Sequence, residues 1–239
     1  RDAQESRGLG DVYKRQIHVN DLNACVNLNN VLSETSKESV KTVNKLLLTL
    51  GLPTEIEDLW RDWIDRDSEV KRLGAEDMDY ASSEIPYRTP NRIVINFSEL
   101  MLLKSISAEH LSVLSQYACL LPDSNSQINV NTAPAEVLQV LSENASVSEL
   151  VTLTETQRAF ENPEQFVQSF PKFQKSLGKI TTSSMYFEMS AQAKVGNTLV
   201  SLSSLIYRNP KDGKISILKR DFGKLFTSKI QIETEIQSI

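Results

Sequence analysis

Histidine and cysteine are scarce in this chain, with two of each among 239 residues. His18 and His110 lie in no recognisable nucleophile or zinc-binding pattern, and the sequence has no nucleophile elbow or glycine-rich phosphate loop. Cys25 and Cys119 are too far apart for a CxxC redox or metal motif, and a reducing compartment would leave them as unpaired core thiols. We therefore expect a protein that is not an enzyme.

Long apolar runs and an excess of positive charge are also missing. The longest apolar run, around Leu46–Leu48, is interrupted by Thr49 and ended by Gly51 and Pro53, well short of the ~20 residues that cross a bilayer. The chain as given is expected to be soluble. A net charge of −5 argues against a general binder of nucleic acid or anionic lipid, since both need clustered Lys and Arg.

The apolar pattern divides the chain into helical and extended parts. Residues 1–16 are polar and begin without methionine, so we expect a non-native or disordered segment there. Between Ser36 and about Phe173, apolar residues recur at helical spacings, with Ser98 and Ser107 as predicted N-caps. From Met185 the period changes to two. Turns are predicted at Gly196–Asn197 and Asn209–Gly213, with a third strand at Ile215–Leu218.

The predicted fold class is α+β. We expect an antiparallel sheet domain, built from residues 17–35 and 174–239 with a first strand at Ile17–Val26. A large all-helical insertion over residues 36–173 splits this domain. The tail after Gly223 alternates weakly and gives no assignment.

One acidic segment stands out. Between Glu55 and Glu84 there are eleven acidic and four basic residues, and both tryptophans of the chain, Trp60 and Trp63, lie within it as expected core anchors. Crowded carboxylates need a hard cation or open water. Asp65, Asp67, Glu69 and Glu76 match EF-hand positions 1, 3, 5 and 12, but Val70 occupies the glycine position, which excludes a true EF-hand.

Two interpretations of this acidic segment remain open. One is a looser calcium site using Asp65, Asp67, Glu76 and Asp77, with Asp62, Asp79 and Asn91 as further oxygen donors. The other is an exposed helix and loop whose charges are solvated. Lys71 and Arg72 lie inside the loop and would weaken a cation site by repulsion.

Several ordered motifs resemble the K-type minor pseudopilin, or GspK, family of the type II secretion system. They are Asn23–Asn29, Asp62–Asp67, Gly74–Tyr80, Pro86–Arg88, Asn91, Ser98–Leu100, Cys119–Pro122 and Ile128–Ala133. The resemblance implies a calcium-binding structural pseudopilin at the pseudopilus tip, with I- and J-type minor pseudopilins and secreted cargo as partners in protein export.

The same resemblance carries expectations about location. It implies a periplasmic domain of a Gram-negative bacterium, anchored in the inner membrane by an N-terminal hydrophobic helix that this sequence does not contain. Since a disulfide is allowed in the periplasm, we predict a Cys25–Cys119 bridge.

The main alternative is a helix-hairpin-helix nucleic-acid-binding protein, because Ile128–Ala133 followed by Glu136–Leu138 is also how such modules begin. The corresponding hairpin, Leu141–Ala145, has no glycine. Residues 122–157 contain five acidic residues and neither Lys nor Arg. Phosphate binding there would be repulsive, so we expect no nucleic-acid partner.

Overall fold

The computed structural model describes residues 14–33, 36–195 and 198–222, and it confirms a mixed α+β fold. The chain forms two compact units. The sheet unit contains, among the described residues, those from 14 to 21 and from 185 to 222, and the helical unit contains residues 22–184. The predicted Gly196–Asn197 turn, most of the segment 1–16 and the tail after Gly223 lie outside the described residues.

The strands are, in chain order, β1 (Lys14–Asp21), β2 (Val26–Asn27), β3 (Ala118–Cys119), β4 (Ile128–Asn129), β5 (Ile180–Thr181), β6 (Tyr186–Val195), β7 (Thr198–Arg208) and β8 (Ile215–Asp221). The α-helices are α1 (Ser36–Thr49), α2 (Glu55–Ile64), α3 (Asp77–Ala81), α4 (Ala108–Leu114), α5 (Ala135–Leu141), α6 (Val147–Glu155) and α7 (Pro163–Ser169). Short 3₁₀ helices span Leu22–Ala24, Leu28–Leu32, Phe97–Leu102 and Pro171–Lys179.

The sheet unit is a four-stranded antiparallel sheet in the order β1-β6-β7-β8, as the period-two pattern predicted. Residues paired across neighbouring strands point to the same face of the sheet. Val19 pairs with Met189, and Ile206 pairs with Ile217, so these side chains lie on one apolar face. Five aliphatic side chains of this face are between 47% and 70% exposed: Ile17, Val19, Val200, Ile215 and Ile217. The face is therefore suited to packing against an apolar element.

The first strand differs from the prediction. β1 begins at Lys14, so Lys14–Gln16, predicted to be non-native or disordered, pair with Gln192–Lys194. It ends at Asp21 instead of Val26, because Leu22–Ala24 turn into a 3₁₀ helix. The helical unit therefore begins at residue 22 and ends at residue 184, which is wider than the predicted 36–173.

The insertion is also not all helical. Val26–Asn27 pair in parallel with Ala118–Cys119, and Ile128–Asn129 pair in parallel with Ile180–Thr181. A two-residue strand shows no alternation of its own, since its existence depends on a partner segment distant in sequence. The unit therefore contains two small parallel ladders besides its helices, which corrects the prediction of an all-helical insertion.

The predicted disulfide is confirmed. Cys25 and Cys119 are bonded, with their Cα atoms 5.9 Å apart. Cys25 directly precedes β2 and Cys119 ends β3, so the bond reinforces the first small ladder.

Buried asparagines join the same two segments. Asn27 Oδ1 accepts from the backbone N–H of Leu121 at 3.0 Å, and Asn29 Nδ2 donates to the carbonyls of Val94 and Leu121 at 2.7 and 2.8 Å. Asn27 and Asn29 are almost fully buried. These asparagines therefore supply hydrogen bonds to backbone groups that lie outside the two-residue ladder.

The two ends of the helical unit meet at β4. Asn23 Nδ2 donates to the carbonyl of Gln127 at 3.0 Å, just before β4. The strand itself pairs with β5, and Asn129 Nδ2 donates to Ser184 Oγ at 2.7 Å. Residues at the beginning and end of the unit are thus held by one short strand.

Predicted signals at helix ends are confirmed at Gly51 and Ser107 but not at Ser98. Gly51, at φ +67°, follows α1 in the left-handed conformation that favours glycine. Ser107 caps α4 as predicted, in a capping box whose second member is His110. Ser98 is not an N-cap, because the Asn96 side chain caps that 3₁₀ helix by accepting from the Ser98 N–H. Among the described residues, no helix is both long and apolar enough to cross a membrane.

Candidate metal centre

The acidic segment is anchored by its aromatic residues. Trp60 and Trp63 of α2 are buried, and Trp60 Nε1 donates to the carbonyl of Leu28 at 3.2 Å. The Trp63 ring contacts Tyr80 and Tyr87 edge-on, with centroids 5.2 and 6.1 Å apart. These contacts fix the C-terminal end of α2, from which the first carboxylates of the candidate site project.

Asp62 folds the loop back onto α2. Its side chain is fully buried, and its carboxylate accepts from the Lys71 N–H at 3.0 and 3.3 Å. Gly74 packs against the same carboxylate. Burial raises the pKa of Asp62, while the Lys71 N–H and the ammonium of Lys71 oppose that rise. Asp62 therefore sets the path by which residues 65–76 return towards the helix.

Asp65, Asp67 and Glu76 are brought together by this path. One carboxylate oxygen from each lies within 4.8 Å of the other two. Asp67 is exposed, Asp65 is half-buried and Glu76 is only 4% exposed. Three of the seven predicted ligands thus form a compact group with a spacing that suits a hard cation.

Unpartnered buried oxygens support the fit of a cation at this group. Asp65 Oδ1, Glu76 Oε1 and Asn91 Oδ1 are buried and accept no hydrogen bond from the described residues. Buried oxygens without a donor are costly, and all three belong to the predicted ligand set. Carboxylate and amide oxygens are the donors that calcium prefers. The residues present fit a calcium ion, which would be held by Asp65, Asp67 and Glu76, with Asn91 as a further donor.

The electrostatics of the group also favour a bound cation. Burial, together with the charges of Asp62, Asp65 and Asp67, raises the pKa of Glu76 to about 7. The pKa of Asp67 is lowered, chiefly by the hydrogen bond from the Glu69 N–H. A divalent cation would relieve the repulsion that raises the pKa of Glu76.

Asp77 and Asp79 have other partners. Asp77 accepts from the N–H and Oγ1 of Thr89 at 2.9 and 2.8 Å, which lowers its pKa. Asp79 accepts from the Glu76 N–H in the capping box of α3 and from Lys104 Nζ, both at 3.1 Å. Both carboxylates therefore hold the backbone around the site, and the structure does not place them in the group of Asp65, Asp67 and Glu76.

Asn91 is positioned by backbone geometry. Its φ of +47° is in the left-handed region that asparagine tolerates, and its N–H donates to the Trp63 carbonyl at 3.3 Å. The segment after α3 is thereby tied to the end of α2. Sequence reasoning missed two further contributors, the close approach of Gly74 to Asp62 and the contacts that Lys71 makes with the carboxylates.

Comparison with known proteins identifies the family. Family models described as "Type II secretion system (T2SS), protein K" match residues 24–123 and 128–182. The chain belongs to the type II secretion system protein K family. The type II secretion system protein K of Pseudomonas aeruginosa is 29% identical over 226 residues, which cover 90% of this chain and 67% of that protein. The Aeromonas hydrophila protein K is 28% identical over 229 residues, covering 84% of this chain and 69% of that protein.

The fold is similar to that of a solved protein K complex. A chain in the crystal structure of the GspK-GspI-GspJ complex from enterotoxigenic Escherichia coli superposes with a TM-score of 0.77 at 23% sequence identity. The match covers 91% of this chain and 84% of that chain. The resemblance of the motifs to the K-type family is thus confirmed. Proteins of this family are components of a secretion system.

Proposed function

We propose that this protein is a structural minor pseudopilin at the tip of the type II secretion pseudopilus, where it takes part in protein export. Its partners are the I- and J-type minor pseudopilins, and the secreted cargo is a further candidate. The observation that carries the proposal is the match of both protein K domains, together with the similarity of fold to a chain of the GspK-GspI-GspJ complex. Catalysis and nucleic-acid binding have no place in this proposal.

The apolar sheet face gives the assembly a physical basis. Exposed Ile17, Val19 and Ile215 on that face would be stabilised by burial against apolar helices, at about 25 cal/mol per Å² removed from water. The resemblance implies such helices in pseudopilins, with the domain itself in the periplasm and anchored to the inner membrane. The helical unit, which contains the acidic segment, is the proposed cap of the tip.

Co-expression with the I- and J-type pseudopilins of the same genome tests the assembly. We expect the three chains to elute as one complex in size-exclusion chromatography, because the apolar sheet face of this chain is buried only when its partners cover it. A variant with Val19→Lys and Ile17→Lys on the exposed face should assemble less well, and a matched variant with two lysines at exposed Ser148 and Thr152 should assemble normally. Separate elution of all three wild-type chains would contradict the proposed function.

We infer in addition that calcium is structural in the acidic segment. The ion would be held by Asp65, Asp67 and Glu76 and would supply positive charge to a loop of mutually repelling carboxylates. This inference is supported by the buried oxygens of Asp65, Glu76 and Asn91, which accept no hydrogen bond from any described residue. Ordering of the loop would then be coupled to binding of the ion.

Calcium titration by calorimetry, with melting curves in calcium and in EDTA, tests the site. At 100 times Kd, calcium should add about 2.7 kcal/mol, which raises the melting temperature by roughly 5–10 °C. Replacing Asp65 and Asp67 by alanine should abolish both effects. The matched control, Glu69→Ala with Glu84→Ala, removes the same charge from exposed positions and should retain them. Equal calcium binding by both double variants would contradict the site.

A further inference from the structure

Lys71 lies among the carboxylates of the candidate site. Its Nζ is 3.1 Å from Asp65 Oδ2, 3.6 Å from Asp67 Oδ1 and 3.7 Å from Asp62 Oδ1. The side chain is 21% exposed, which is low for a lysine in a loop. An ammonium group at these distances is a direct electrostatic partner of two of the three clustered carboxylates.

The backbone of Lys71 is held independently of its side chain. Its N–H donates to the buried Asp62 carboxylate, so the loop is anchored at this residue whatever the ammonium contacts. The ammonium also donates to the Glu69 carbonyl at 3.1 Å, and Asp67 and Glu69 beside it are exposed. A flexible four-carbon side chain in this position can move its charge to solvent without rearranging the loop.

The positive charge of Lys71 compensates the group only in part. One ammonium faces Asp62, Asp65 and Asp67, while the buried Glu76 Oε1 accepts no hydrogen bond within the part of the chain that the structure describes. A divalent cation at the group would contact Asp65 and Asp67 and would lie too close to the ammonium for both to remain. Ammonium and cation therefore compete for the same oxygens.

We infer that Lys71 is an internal competitor that pairs with Asp65 and Asp67 in the cation-free loop and is displaced when calcium binds. This inference rests on the calcium site proposed above. Lys71 thereby weakens the affinity for calcium and, without calcium, reduces the repulsion among the loop's carboxylates. It acts as a positioning residue for the carboxylates and is not itself a ligand.

A pair of matched variants tests the competition. Lys71→Met and Arg72→Met remove the same charge from adjacent residues, but exposed Arg72 has no ion pair with the group among the described residues. Calorimetric titration with calcium chloride should give a Kd for Lys71→Met about fivefold to tenfold lower than for Arg72→Met. In EDTA, Lys71→Met should melt below Arg72→Met, because Asp65 and Asp67 have lost their ion-pair partner.

The outcomes separate this inference from the calcium site itself. Saturable binding with equal Kd values for wild type, Lys71→Met and Arg72→Met would overturn the competition and leave the calcium site standing. Equal melting temperatures of the two variants in EDTA would also overturn it. Absence of binding in all three proteins would overturn both proposals. A lower Kd for Lys71→Met than for wild type and Arg72→Met, with binding lost on adding Asp65→Ala and Asp67→Ala, would support the competition most directly.

Discussion

Replacing Cys25 and Cys119 by serine is expected to lower the free energy of unfolding by about 3–5 kcal/mol. The disulfide closes a loop with a sequence separation of 94 residues, and a cross-link of that span removes much of the conformational freedom of the unfolded chain. Denaturant unfolding under oxidising conditions would measure the loss. The slope of the free energy against denaturant should rise as well, since an uncrosslinked chain exposes more surface.

Alanine at the same two positions is the control for side-chain polarity. If serine and alanine pairs lose the same stability, the lost bond is responsible. Wild-type protein treated with a reductant should reach the same value. A loss below about 1 kcal/mol in all three cases would contradict the expected contribution of a long closed loop.

The second large effect is expected from Gly74→Ala. A Cβ at Gly74 would lie 1.9 Å from Asp62 Oδ2 and 2.7 Å from its Cγ. Asp62 is fully buried and hydrogen-bonded to the Lys71 N–H, so moving its side chain would break a buried hydrogen bond. We expect a loss of roughly 2–4 kcal/mol in the free energy of unfolding, from overpacking and a displaced buried carboxylate.

Gly178→Ala is the matched control for this effect. Apart from its chain neighbours, no atom of the described residues lies within 4 Å of a Cβ built at Gly178, and the backbone there is not left-handed. This variant should unfold at the wild-type denaturant concentration. Because Asp62 sets the return path of the loop, Gly74→Ala should weaken calcium binding too. Equal stability of the two alanine variants would show that Asp62 moves freely, which would contradict its tight packing against Gly74.

The sheet was predictable because its strands are long and half-buried. In β6 the alternation of Phe187, Met189 and Ala191 with polar residues is visible without any partner. β2 and β3 were not predictable in this way. A pair of two-residue strands has no period, and the stability of β2 and β3 comes from the disulfide and from Asn27, which contacts Leu121.

The acidic site was likewise only partly predictable from the sequence. The sequence identified the segment and its aromatic anchors, but it could not separate Asp65, Asp67 and Glu76 from Asp77 and Asp79. Carboxylates near a helix start serve equally well as ligands or as hydrogen-bond acceptors for the backbone. The choice depends on the loop path, which the contacts among Asp62, Lys71 and Gly74 determine. Charge counting likewise predicted that Lys71 would weaken a cation site, but the sequence could not show which carboxylates form ion pairs with it.

The short strand β4 holds both ends of the helical unit. This arrangement affects how such a protein can evolve. The hydrogen bonds of Asn23 and Asn129 bring the first and last residues of the unit to one place, much as the base of a hairpin does. A module closed in this way can be acquired, exchanged or enlarged between two neighbouring strands without altering their register, as the unbroken pairing from Asp21 with Phe187 onward illustrates. The sheet and the inserted module can therefore diverge at different rates.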